Sequence, residues 1–137
     1  SDGAARAELQ LDAIDLERVL PYLPTRTRFR MAGLTTNDTP CHAAHAVMSV
    51  DARGLVYPCS AWPQAAGSIR EQSVEMIWRK APLFSEIRGM TLGDLEACAT
   101  CSTRGTCNRC AGLSVQNGFS RLGHSPLDCA QAEAYAH

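Results

Sequence analysis

The chain has 137 residues, 20% of them charged and 45% hydrophobic, with a formal net charge of −1; that is the composition of one ordinary globular domain and excludes a disordered chain. The near-neutral balance offers no basic footprint for nucleic acid or an anionic membrane, and no stretch of ~20 apolar residues or signal-peptide pattern is present, so a cytoplasmic setting with neither nucleic-acid nor membrane partners is expected. Aromatic residues are scarce at 6% while cysteines number seven, which predicts a thin core supported by metal-linked folding. The opening Ser1-Asp2-Gly3-Ala4 has no initiator Met, and the chain reads as processed or as cut from something longer.

Residues 1–35 contain no cysteine and stand apart from the rest. Leu9, Leu11, Ile14, Leu16, Val19 and Leu20 form a helical stripe with Asp12 or Asp15 available as its N-cap, ended by Pro21 and Pro24. Arg26–Arg30 is a weak strand candidate. This segment is expected to be a linker helix that packs on a partner domain, with residues 36–137 forming the domain proper.

Ala46–Val50 and Leu55–Pro58 are β-prone runs flanking Asp51-Ala52-Arg53-Gly54, which reads as a β-hairpin. Cys41 precedes the first run and Cys59 follows the second, so closing the hairpin makes them neighbours. Ser73 is a suitable N-cap for a helix beginning at Val74, whose face carries Val74, Ile77, Trp78 and Ala81. Pro82 opens a second short helix to Arg88, closed by Gly89 as its C′ residue, with Trp78 and Phe84 as core residues. From Cys98 onward Gly105, Gly112, Gly118, Gly123 and Pro126 predict a loop-rich region. The expected fold is therefore small α+β: a β-hairpin, short helices and a loop-rich cysteine region around metal.

The cysteines are spaced Cys41-x12-Gly54-x4-Cys59, then Cys98-x2-Cys101-x5-Cys107-x2-Cys110, then Cys129. Disulfides explain them poorly, because the count is odd and Cys-x2-Cys closes only a tight, strained loop. Zinc suits two Cys-x2-Cys units, but zinc ribbons separate the pairs by roughly 15–20 residues, and one such site leaves Cys41, Cys59 and Cys129 unused. Iron–sulfur clusters are held by closely spaced thiolates plus a remote one, and seven thiolates suffice for two clusters with one ligand missing.

This pattern resembles that of the SPASM domain, the C-terminal auxiliary-cluster domain of radical S-adenosylmethionine enzymes. In that family a Cys, a Gly and, after four intervening residues, a second Cys are followed by the run Cys-x2-Cys-x5-Cys-x3-Cys and a last Cys. All seven cysteines and Gly54 match, the one departure being two residues instead of three between Cys107 and Cys110, which leaves 2Fe–2S ligation open at that position. Gly67-Ser68-Ile69-Arg70-Glu71-Gln72-Ser73 followed by Ile77-Trp78-Arg79 resembles the family's connecting segment. Cys107-Asn108-Arg109-Cys110-Ala111-Gly112 is similar to the version found in peptide-modifying members.

The resemblance implies two clusters, 4Fe–4S first of all, with zinc as a possible substitute. Cys98, Cys101, Cys107 and Cys129 would hold one; Cys41, Cys59 and Cys110 the other, whose fourth position falls to Asp38, His42 or His45, to a substrate thiolate, or to a Cys outside the chain. Arg104 and Arg109, inside the cluster loop, could offset cluster charge or donate to its sulfides. His124 and His137 carry no pattern. The implied role is electron relay and peptide positioning in a maturase, the partners being a radical S-adenosylmethionine barrel, in cis or in trans, and a substrate peptide or protein. No Cys-x3-Cys-x2-Cys triad is present and the length cannot hold the barrel, so no catalysis is expected from the chain alone. A non-redox module, in which metal staples a peptide-binding fold, is the rival reading.

Overall fold

In a computed structural model the chain is described over residues 13–19, 22, 34–104 and 107–136. Leu9, Leu11, the two prolines that follow the first helix and the Arg26–Arg30 strand candidate lie outside them. Within them, α1 (Ala13–Val19) lies against the last helix of the chain, α6 (Pro126–Ala136), leaving Ile14 and Val19 exposed.

The hairpin forms as β1 (Ser49–Val50) and β2 (Leu55–Tyr57), antiparallel, with Ser49 opposite Tyr57 and Val50 opposite Val56. Its turn is built by Asp51, whose Oδ1 accepts from the N–H groups of Arg53 and Leu55, each at 2.9 Å. Gly54 closes it at φ +86°, where a Cβ would also stand 3.0 Å from Ile69 Cγ1. That backbone region disfavours any side chain, which is why the pattern needs Gly between the two cysteines. A third strand, β3 (Gly67–Ser68), pairs antiparallel with β2 and makes the sheet three-stranded in the order β1-β2-β3. Two residues are too few to show strand periodicity, so a hairpin alone was expected.

Ser73 caps α2 (Val74–Lys80), its Oγ accepting from Met76 N–H at 3.2 Å. Val74 is exposed rather than buried, while Ile77 and Ala81 are in the core. Pro82 opens α3 (Pro82–Arg88) as expected, but Gly89 is its C-cap with right-handed φ −75° rather than a left-handed C′ residue. Val56, Ile77, Phe84, Ile87 and Trp62 form the centre of the core, and Trp78 meets Phe84 edge to face at 5.6 Å.

Arg88 ties this core to the segment before β1. Its guanidinium lies over Trp78 at 4.6 Å, Nη1 donates to Trp78 O at 2.7 Å, and Nε donates to Ala44 O at 2.7 Å. Ala44 is fully buried at φ 58°, a conformation costing about 1–2 kcal/mol for a residue with a Cβ. Hydrogen bonds from its N–H to Val47 O at 3.0 Å and Pro58 O at 3.1 Å hold it there. The second of these zips the arm that carries Cys41 onto the arm that carries Cys59.

The region after residue 95 differs most from expectation. It holds α4 (Glu96–Ala99), α5 (Ala111–Gln116) and α6 where a loop-rich stretch was anticipated. Pro126 stands at the first position of α6, where its missing N–H costs nothing. Gly112 sits inside α5 because a Cβ there would be 2.8 Å from Ala61 O; it marks a close backbone approach, not a break. No helix among the described residues is long and apolar enough to cross a membrane.

Candidate metal centre

The seven thiols, all unpaired, fall into two groups that ignore sequence order. The first is built on the core. Cys41 and Cys59 pack against it, and Gly112 lets the start of α5 press on the Ala61–Trp62 backbone just beyond Cys59. Cys110 is the N-cap of α5, its Sγ facing the Leu113 N–H at 3.5 Å. The charges that act on Cys41 are those of Cys59, Cys110 and Arg109, so these three thiols and the guanidinium share one environment. Burial pushes the Cys41 thiol up, the Ala43 N–H opposing it, with the two neighbouring thiols adding to the rise and Arg109 lowering it.

The second group lies between α4, residues 101–104 and 107–110, and α6. Cys98, Cys101, Cys107 and Cys129 line one cavity together with Thr103, Arg104, Arg109, His124 and Asp128. Cys107 is raised first by burial, then by Asp128, Cys98 and Cys129; Cys129 first by burial, then by Cys101 and Cys98. Cys101 is the exception: it is exposed, and the Thr103 hydroxyl 3.2 Å from its sulfur lowers its pKa, with the Thr103 N–H acting the same way. Cys41, Cys59 and Cys110 thus stand together, as do Cys98, Cys101, Cys107 and Cys129.

The remaining candidates separate. Asp38 is spent on a turn, its Oδ2 accepting from Thr35 N–H at 2.6 Å and Thr35 Oγ1 at 2.9 Å. His42 is exposed, while His45 keeps Nε2 buried without a hydrogen-bond partner. Arg109 is anchored by Nε to Gly123 O at 2.9 Å, also reaches the Arg121 carbonyl, and faces both thiol groups. Arg104 lines the four-thiol cavity. His124 and Asp128 were missed as neighbours of that cavity. The sequence carried a signal only for Asp128: Ser125-Pro126-Leu127-Asp128 is a helix start with an acid in its first turn.

Among the described residues no three His, Cys, Asp or Glu side chains converge on a single-ion position. A set of three thiols and a set of four are a donor chemistry that fits iron–sulfur ligation.

A family model described as the SPASM iron–sulfur cluster-binding domain matches residues 41–111, just over half of the chain. The matched segment contains six of the cysteines and stops before Cys129, which reaches the cavity on α6. Neither a curated protein nor a solved structure shows significant similarity to the chain.

Proposed function

The chain belongs to the SPASM family of iron–sulfur cluster-binding domains, and from that premise we propose that it is the auxiliary-cluster domain of a radical S-adenosylmethionine maturase. In this reading it carries two clusters, relays electrons and helps to position a peptide or protein substrate. The observation that supports it best is the three-and-four partition of the thiols across α4, α5, α6 and the hairpin ends. Cys98, Cys101, Cys107 and Cys129 would hold one 4Fe–4S cluster; Cys41, Cys59 and Cys110 would hold the other. Its fourth position would be left to His45, whose ring nitrogen lacks a partner, or to a ligand from outside the chain. Residues 1–35 would link the domain to a barrel present in cis or in trans.

When bound, each cluster accepts and returns one electron at a time. The chain's own residues set how easily. Cys41 and Cys59, each half-buried, pack against the hydrophobic core, which leaves the first set less open to water, while the exposed Cys101 leaves the second open on one side. Burial without compensating charge disfavours the reduced, more negative state. Arg109 faces both sets and offsets part of that cost. The two sites thus differ in solvation, the condition for two different potentials and a directed transfer.

Iron, acid-labile sulfide and zinc per chain, measured after anaerobic reconstitution, test the reading. About eight iron and eight sulfide correspond to two 4Fe–4S clusters and are the expected result. Zinc without sulfide, persisting under those conditions, would replace the electron relay by a metal-stapled binding module.

A further inference from the structure

One buried side chain connects the two thiol sets. Asp128 is 5% exposed and is the third residue of α6, next to Cys129. An acid at this helix position ordinarily turns back to the N–H of its own N-cap. Here Oδ2 accepts from the backbone N–H of Cys110 at 3.3 Å, across eighteen residues of sequence. The same carboxylate lines the four-thiol cavity and acts on Cys107 and Cys129. The helix that presents Cys129 to the second set therefore holds the peptide group of Cys110 in the first. Arg109 lies within electrostatic range of both Asp128 and Cys41, so the guanidinium and the carboxylate share the space between the sets.

Among the described residues the one hydrogen bond to this buried carboxylate is long, and even with Arg109 nearby that is a costly way to stabilise a fold; an apolar side chain would do so more cheaply. Cys110 is also the N-cap of α5, and Ser114 Oγ donates to its carbonyl at 3.1 Å. With its N–H held by Asp128 and its C=O held by α5, the Cys110 backbone has little freedom to turn. The direction of its thiol is fixed from two sides.

We propose that Asp128 is a positioning residue that locks the two thiol sets together, holding Cys110 in the first set from the helix that carries Cys129 in the second. The inference rests on the two-cluster reading, but its consequence for Cys110 is measurable without clusters. Three variants of the full chain separate the roles. Asp128→Ala and Asp128→Leu remove the acceptor, the latter keeping the branched side-chain skeleton; Asp128→Asn keeps an acceptor oxygen on the same stem.

In the metal-free chain, amide hydrogen exchange at Cys110 should quicken about two- to tenfold in Asp128→Ala and Asp128→Leu, the effect of one lost hydrogen bond, and return towards wild type in Asp128→Asn. In the reconstituted chain, the electron paramagnetic resonance signal and potential of the cluster on Cys41, Cys59 and Cys110 should change in the first two variants, although no ligand of that cluster has been altered. Asp128→Asn should restore the signal. If Asp128→Ala fails to fold, Asp128→Leu decides. Unchanged Cys110 exchange and an unchanged signal in Asp128→Leu, or no restoration by Asp128→Asn, would overturn the inference and leave the two-cluster reading standing. A wild-type chain that takes up no cluster would remove that reading, while Cys110 exchange would still decide the latch.

Discussion

A methyl group at Gly112 should open the first thiol set. The Cβ of Gly112→Ala would stand 2.8 Å from Ala61 O, 2.9 Å from Ala61 C and 3.2 Å from Trp62 N. These are backbone atoms, which cannot swing aside as a side-chain end can. Regaining ordinary contact at 3.4 Å moves the start of α5 away from the loop after Cys59 by about 0.6 Å. Overpacking of this kind costs about 1–3 kcal/mol, and replacing a helical Gly with Ala returns up to about 1 kcal/mol. The net loss of about 1–2 kcal/mol corresponds to a fall of roughly 3–7 °C in the melting temperature of a domain this size. The movement also separates Cys110 from Cys59, so iron content should fall. Gly123→Ala is the control, because its Cβ would meet nothing closer than 3.4 Å; it should melt within a few degrees of wild type. Thermal denaturation of the reconstituted proteins, with iron counted beside it, reads both effects. A Gly112→Ala protein that melts with the control and keeps its full iron would refute the close-approach argument.

In the metal-free chain Cys101 should alkylate first, at least about tenfold ahead of Cys41, Cys107 and Cys129, since it is exposed and lowered by Thr103 while burial raises the other three; peptide mapping after brief iodoacetamide treatment checks the order, and Thr103→Val should narrow the gap. Asp38, Asp51 and Asp94 are lowered from 3.8, chiefly by the backbone N–H groups of Thr35, Leu55 and Thr91 respectively. Their stabilisation is therefore complete above the unfolded carboxylate value and lost as pH falls through the folded one. Asp51→Asn should accordingly lower urea resistance at about pH 7, by an amount that shrinks as pH falls below the unfolded carboxylate value. Burial raises Asp128, so its contribution has the opposite sign, present below the unfolded value and lost as pH rises through the folded one; Asp128→Asn should cost no urea resistance at about pH 7. Stripping iron with an oxidant and a chelator should lower the melting temperature and expose α6 to protease, because Cys129 would no longer be tied to Cys98 and Cys101.

The hairpin and the first two helices of the domain proper were legible because their signals are local. Ser73 caps α2, Pro82 opens α3, and Asp51 with Gly54 makes a turn. In the cysteine region the Gly and Pro residues predict breaks, and hence loop. Gly112 is instead required by contact with a backbone fifty residues away, and Pro126 starts a helix. Neither β3 nor the left-handed Ala44 leaves a mark in the sequence: β3 is held by its pairing with β2, and Ala44 by its N–H donating to Val47 O and Pro58 O and by Arg88 donating to its carbonyl. The thiol spacing carried the family, whereas the placing of Asp128 and His124 beside the four-thiol cavity depends on how α6 and the preceding loop pack.

The division of the thiols is tested most directly by reciprocal removal. Cys59→Ala and Cys129→Ala, reconstituted anaerobically, should each lose one cluster and keep the other, giving two electron paramagnetic resonance spectra that sum to that of the wild type. Loss of the same signal and the same iron from both variants would contradict the account.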